Sequence, residues 1–282
     1  MFGRRYFEFN GQSSRDYGVV LVHDGGLFER QFGISRETVT DRSWNSPLPC
    51  LFGFEEKPLS GEIQIMSESG WTQEKKRAVC RWLFTPSYAP FLSADSPDMV
   101  YYLLFTGEQA ISTGLLEKGF LTLHFECNAP WGWSKKIVQR YDLRQNEGTF
   151  RFDVNNISNV DKLRFNPLEI EIAIPEFTET DYPDAETRPI VDVKDLCFAV
   201  RNVRNTPEGG EFIVKSTPLA SLQKGERLYV HMGRKKVLTS ADVFSRMDNC
   251  NKKWVELEYG INTLEVTGQC RLEVRCQFPV MI

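Results

Sequence analysis

A single stretch of this 282-residue chain repeats its apolar residues with a helical period. Between Trp71 and Phe84 the apolar positions are 71, 78, 79, 82 and 83, one face of a 3.6-residue repeat. Ser69 or Thr72 is placed to cap its start, and Thr85-Pro86 ends it. Glu74 lies early, and Lys75, Lys76, Arg77 and Arg81 follow on the polar side, which broadly suits the helix dipole. The Trp71/Trp82 stripe reads as core packing. Four basic residues with one Glu are too few to make this a nucleic-acid helix.

Almost everything else alternates with period two. In 120–127, Leu121, Leu123, Phe125 and Cys127 share one face, and Phe120, Thr122, His124 and Glu126 share the other. Phe7 with Phe9, Val19–Val22, Phe28–Ile34 and Tyr101–Thr106 read as further strands, separated by Asn10-Gly11, Asp16 and Asp24-Gly25-Gly26. A Pro- and Asp-rich bend spans 86–98. Beyond Trp133, Phe150/Phe152/Val154, Leu168/Ile170/Ile172/Ile174, Leu228/Val230/Met232 and Leu272/Val274/Cys276 alternate in the same way. Turns are read at Asn155-Asn156, Glu208-Gly209-Gly210, Gly225 and Tyr259-Gly260-Ile261-Asn262, with at most one helical turn around Ser240–Asp248. The expected fold is therefore mainly β and has two domains. Residues 1–138 form a β-sandwich or split barrel with one α-helix at about 71–84, and residues 139–282 form a second β-sandwich.

Composition supports this and excludes other classes. The chain carries 20 Phe, 9 Tyr and 6 Trp, residues that favour strands. A formal net charge of −4 argues against sequence-independent clamping of duplex nucleic acid. No apolar run reaches the roughly 18 residues of a membrane span, and the N-terminus reads as no secretory signal. Seven Cys at 50, 80, 127, 197, 250, 270 and 276 show no C-x-x-C spacing, so they read as mostly reduced, buried thiols.

No catalytic pattern emerges. His23, His124 and His231 stand in no ligand spacing, and no G-x-S-x-G or phosphate loop is present. Glu176, Glu179, Asp181, Asp184 and Glu186 read as a solvated acidic loop, since their spacing does not match a Ca²⁺ loop. No enzyme, metal or cofactor is expected. Residues 41–58 contain Pro47, Pro49 and Pro58, so the segment reads as a loop or irregular arm rather than a central strand. Its aromatics Trp44, Phe52 and Phe54 are the candidates for an interface between subunits.

The order of motifs resembles one known family. The chain opens FEFNGQSSRDYGVVLV, continues through GFEEKPLSGEIQI, WTQEKKRAVCRWLF and GFLTLHFECNAPWGWS, and adds ISNVDKLRFNPLEIEI and WVELEYGINTLEVTG in its second half. This succession resembles the distal tail proteins of long-tailed bacteriophages (siphophages) over nearly the whole chain. The resemblance implies a structural protein of the virion tail tip. Its first domain would assemble into a hexameric ring, and a galectin- or carbohydrate-module-like sandwich would project from it. The implied partners are further copies of the chain, the tail tube protein, a tail-tip protein and receptor-binding proteins, with DNA only as transiting cargo. The competing reading is a carbohydrate-binding β-sandwich adhesin with glycan contact at the host surface.

Overall fold

The structure is a computed structural model and describes residues 6–23, 36–41, 48–94, 96–112, 119–159, 167–175, 197–204, 210–217, 220–243 and 245–281. The chain forms two compact units, Met1–Lys135 with Pro279–Ile282 and Lys136–Phe278. Both are built almost wholly from antiparallel strands, as the alternation predicts.

The first unit contains β1 (Phe7–Phe9), β2 (Gln12–Ser13), β3 (Val19–His23), β4 (Arg36–Asp41), β5 (Cys50–Glu56), β6 (Ser60–Ser67), α1 (Gln73–Leu83), β7 (Ala89–Ser93), β8 (Ser96–Ser112), β9 (Phe120–Cys127) and β10 (Gly132–Ser134). One antiparallel sheet runs β2-β1-β7-β8-β9-β6-β3, and β10 pairs with β8. The β1–β2 hairpin turns on Asn10 and Gly11 with φ of 51° and 73°. Two successive positive φ values define the tight hairpin turn that Asn-Gly accepts best. In β9 the four predicted inward residues are all buried.

Helix α1 lies within the predicted 71–84 window and is capped by Thr72, whose hydroxyl accepts the Lys75 N–H at 3.2 Å. Val79, Trp82 and Leu83 are its buried face. Trp82 gathers three pieces of the opening motif. Tyr17 stacks on it at 4.3 Å, Phe7 stacks at 5.4 Å, and its indole N–H donates to the Phe9 carbonyl at 2.9 Å. Gly18 ends the short 3₁₀ turn Ser14–Tyr17 at φ +57°, and its carbonyl accepts from Lys75 Nζ at 3.0 Å. The helix is thus fixed to the chain's opening segment by stacking, one buried hydrogen bond and one lysine.

The second unit contains β11 (Ile137–Asp142), β12 (Thr149–Asn156), β13 (Glu169–Ala173), β14 (Cys197–Asn202), β15 (Glu211–Lys215), β16 (Arg227–His231), β17 (Lys236–Thr239), β18 (Gly260–Thr267) and β19 (Arg271–Cys276). They form a five-stranded sheet, β11-β19-β13-β16-β17, and a four-stranded sheet, β12-β18-β14-β15. One apolar cluster draws on both: Ile170, Ile172, Leu228, Val230 and Val274 from the first, Phe152, Phe198, Val200, Phe212 and Leu264 from the second. Two sheets sharing one core make a sandwich. The last strand, β20 (Pro279–Val280), leaves this unit and pairs with β10 in the first.

Four sequence expectations need correction. The bend at 86–98 contains β7, which is flanked by β1 and β8. Pro90 is tolerated there because its carbonyl faces β1 and accepts from the Asn10 N–H, where β1 has already turned. A residue's N–H and C=O point to the same side of a strand, so the missing N–H has no acceptor waiting for it. Residues 50–56 form a strand, not a loop; the prolines of 41–58 fall outside it. The turns read at Asn155-Asn156 and Ile261-Asn262 lie within β12 and β18. All seven Cys are free thiols, but Cys50, Cys80 and Cys197 are exposed. The strand at 28–34, the turn at 24–26, Trp44, the acidic segment 176–186 and Glu208-Gly209 lie outside the described residues.

Candidate interaction surfaces

Among the described residues, strands β4 and β5 pair with each other and with no other strand. None of their residues joins either hydrophobic core, and β4 is exposed at every position. The register steps once, between Val39 and Thr40: Val39 faces Gly53, and Thr40 faces Leu51. Phe52 is therefore the extra residue of a bulge. Phe54 lies opposite Thr38. Thr38 and Thr40 share a face, so Phe54 and Leu51 share it as well, and Phe52, two residues from Phe54, joins them. The bulge thus collects Leu51, Phe52 and Phe54 on one side of a ribbon. Phe52 is 70% exposed and Phe54 49%.

Charge pairs hold the open end of this ribbon. Arg36 Nε lies 3.3 Å from Glu56 Oε1, its guanidinium stands 5.8 Å from the Phe54 ring, and Lys57 Nζ donates to Glu37 at 2.5 Å. An isolated two-stranded ribbon is marginal in water. Three large apolar side chains on its face are surface suited to burial against another molecule. Of the three aromatics singled out from the sequence, Phe52 and Phe54 come together here. Leu51 was not singled out, because only the bulge puts it on that face.

Several charged pairs among the described residues of the second unit tie its strands together. Arg246 and Glu226 form a buried pair bonded at 2.7 and 2.9 Å. On the outer face of the four-stranded sheet, Arg151 and Arg201 lie opposite Glu265 from either side, and both bind its carboxylate. Arg201 first, and Arg151 with it, holds Glu265 below the usual carboxylate range against the cost of its burial. On the outer face of the five-stranded sheet, Arg140 and Arg275 lower Glu273 in the same manner, and Arg275 reaches Glu171 at 2.7 Å. Burial pushes the thiols of Cys127, Cys270 and Cys276 up to about 12. These are inert core groups rather than nucleophiles. Among the described residues no three His, Cys, Asp or Glu side chains gather as a metal site would require.

A second exposed apolar group, Ile157, Val203, Tyr259 and Ile261, occupies one end of the four-stranded sheet. Sequence reasoning missed it. Tyr259-Gly260-Ile261-Asn262 carries turn residues, and nothing in their pattern reports that the apolar ones face water.

Comparison with known proteins places this architecture. Residues 2–129 match the family model described as the phage tail protein N-terminal domain. The SPbeta prophage-derived uncharacterized protein YomH of Bacillus subtilis (strain 168) is 22% identical over 281 residues, 98% of each chain. Among solved structures, the SPP1 Dit (gp 19.1) protein, described as a paradigm of hub adsorption apparatus in phages infecting Gram-positive bacteria, matches with a TM-score of 0.60. That match has 13% identity and covers 97% of this chain and 99% of the other. A chain of the phage P2 baseplate in its activated conformation with Ca matches with a TM-score of 0.52 and 7% identity, over 97% of this chain and 98% of the other. The chain is thus similar in fold to the Dit hub protein along its whole length. The resemblance to distal tail proteins read from the motif order is borne out.

Proposed function

We propose that this protein is a structural subunit of a bacteriophage tail tip, forming a hexameric ring that joins the tail tube to the tip or baseplate and its receptor-binding proteins. The observation that carries this is the fold likeness to the SPP1 Dit protein, which spans 97% of this chain and so includes both units. The match of residues 2–129 to a phage tail protein N-terminal domain supports the same reading from sequence.

The first domain, to about residue 138, forms the ring, and the β4–β5 ribbon supplies one side of the contact between neighbours. A ring needs a head-to-tail contact, so each copy must offer one surface that fits a different surface of the next. The exposed face of Leu51, Phe52 and Phe54 is such a surface, and Trp44 is the third aromatic of the same segment. DNA passes through the ring as cargo. The net charge of −4 suits a conduit that does not grip it. The role needs no catalytic group. The adhesin alternative rests on exposed aromatics for sugar stacking. Among the described residues of the second unit, Tyr259 is the one exposed aromatic.

The test is paired. Phe52→Ser/Phe54→Ser changes only exposed positions, so the double variant should keep its thermal midpoint. It should lose the high-mass species that the unaltered chain forms in size-exclusion light scattering. Equal masses for the two proteins would remove the ribbon from the contact.

A further inference from the structure

The chain leaves the first unit after Lys135 and re-enters it at Pro279, so residues 136–278 are an insertion between two neighbouring strands of that unit. In β20, Val280 pairs with Gly132 and Pro279 with Trp133. Strand β10 has two further residue pairs, Trp133 with Val100 and Ser134 with Met99. Half of the pairing of β10 thus comes from residues on the far side of the insertion. Beneath β10 lies core: a Cβ at Gly132 would meet the Tyr101 ring at 3.1 Å, and Tyr101 is 1% exposed. Trp133 stands edge-on to Tyr102 and Trp131 at 6.4 and 6.3 Å, and its indole N–H donates to Asn128 at 3.3 Å. Whatever loosens β10 loosens this aromatic group with it.

The two apolar clusters draw on separate stretches of chain, one on residues 7–127 and the other on residues 137–278. Each unit therefore buries its own core, yet the first is completed by a strand that follows the second. Just inside the second unit Ile137 pairs with Cys276, and just inside the first Trp133 pairs with Pro279. Residues 134–136 and 277–278 are all that separates the two pairs. In an unstructured chain, everything between Trp133 and Pro279 must be closed as one long loop, at an entropic cost that grows with its length. Once β11 and β19 have paired, only those few residues remain to be closed. Pro279 and Val280 then stand beside β10 at the high effective concentration of a short tether. Two residue pairs suffice under that condition, whereas alone they would have to offset the whole of the long loop.

We propose that β20 is a strap through which folding of the second unit completes the first. Residues 136–278 fold, Cys276 is brought to Ile137, and Pro279–Val280 are delivered to β10. A chain whose second unit is unfolded keeps its first core but holds β10 from one side only. The coupling runs one way: neither Pro279 nor Val280 belongs to the second unit's apolar cluster, so loss of the strap leaves that unit folded. The consequence for assembly rests on the ring proposed above. A loosened first unit must pay its ordering cost on joining a neighbour, which weakens the contact. The strap therefore acts as a checkpoint, admitting to the ring the chains that have folded through both units.

The test is hydrogen exchange on the full chain, read at residues 99–101 and 132–134. Pro279→Gly/Val280→Ser strips the strap of its strand-forming side chains. Exchange at both segments should rise at least tenfold, while residues 170–172 and 264–266 keep their wild-type rates. Arg246→Met weakens the second unit at its buried ion pair. In urea sufficient to open that unit, residues 132–134 should open with it, and residues 63–65 and 121–125 should stay protected. Wild-type exchange at 99–101 and 132–134 in the strap variant would overturn the proposal, as would protection of 132–134 that outlasts the opening of the second unit. Size-exclusion light scattering of the same proteins separates strap from ring. A high-mass species that survives loss of the strap would overturn the checkpoint. A wild-type chain that is monomeric at every concentration would overturn the ring instead, with the strap decided by the exchange rates.

Discussion

Arg246 lies across Glu226 in a two-point contact, with Nε to one carboxylate oxygen at 2.7 Å and Nη2 to the other at 2.9 Å. Both side chains are sealed from water, and the carboxylate also accepts from the Gln223 N–H and the Thr239 hydroxyl. Every lone pair of the acid is therefore engaged. Arg246→Met should cost about 3–5 kcal/mol, because it leaves a buried charge without its partner. Glu226→Leu/Arg246→Met should recover part of that loss. Urea midpoints of the single and double variants check this; a double variant weaker than the single would contradict it.

Trp82 joins helix α1 to the chain's first strands. Trp82→Phe keeps most of the stacking with Tyr17 and Phe7 but removes the buried indole hydrogen bond to the Phe9 carbonyl. A hydrogen bond of this kind contributes about 0.5–1.5 kcal/mol. The urea midpoint should fall accordingly, and hydrogen exchange at residues 7–9 and 73–83 should accelerate together. Acceleration confined to the helix would show that the two segments are not coupled.

Two glycines rank by what surrounds them. A Cβ at Gly268 would sit 2.6 Å from the Cys197 carbonyl oxygen, on a backbone already at φ +116°. A Cβ at Gly132 would meet the terminal methyl of Met99 at 2.4 Å. Main chain in a paired strand cannot yield, whereas a methionine side chain can rotate. Gly268→Ala should therefore destabilise by more than the roughly 1 kcal/mol that a strained position costs, and Gly132→Ala by less than Gly268→Ala. Thermal melts of both variants decide the order.

Stability should be flat near neutrality and fall on both sides. Glu265, Glu273 and Asp142 sit below their ordinary values, chiefly through hydrogen bonds from Arg201, Arg140 and Arg144. A carboxylate lowered in the fold contributes stability above its ordinary value of 4.5 for Glu or 3.8 for Asp, and that contribution is lost as pH falls through the folded value. The buried thiols of Cys127, Cys270 and Cys276 are raised from 9.0 to about 12. Their contribution is complete below 9.0 and is lost as pH rises towards 12. Urea midpoints against pH should show both limbs, and at pH 8 a thiol reagent should label Cys50, Cys80 and Cys197 first.

What the amino-acid order reveals depends on whether burial is written in a period. Leu121, Leu123, Phe125 and Cys127 disclose β9 because one face of that strand meets the core. Cys50–Glu56 discloses nothing of the kind, since both its faces meet water and its pairing with Arg36–Asp41 leaves no alternation to read. Phe52 and Phe54 were legible as aromatics in a proline-marked segment, but the bulge that brings Leu51 beside them is a matter of register. Asn156, Asn202 and Asn262 belong to a residue type that favours turns. Here their side chains, able both to donate and to accept, close off backbone groups inside the sandwich. Pro90 hid β7 because the strand's tolerance of proline depends on where β1 turns away.

The central claim is that the first unit closes into a six-membered ring. Mass photometry of the purified chain, with negative-stain imaging of the same sample, addresses it directly. A ring requires a species near six times the 32.5 kDa chain, about 195 kDa, with an open centre. A uniform 32.5 kDa monomer would contradict the account, both alone at high concentration and after mixing with the tail tube protein it is proposed to meet.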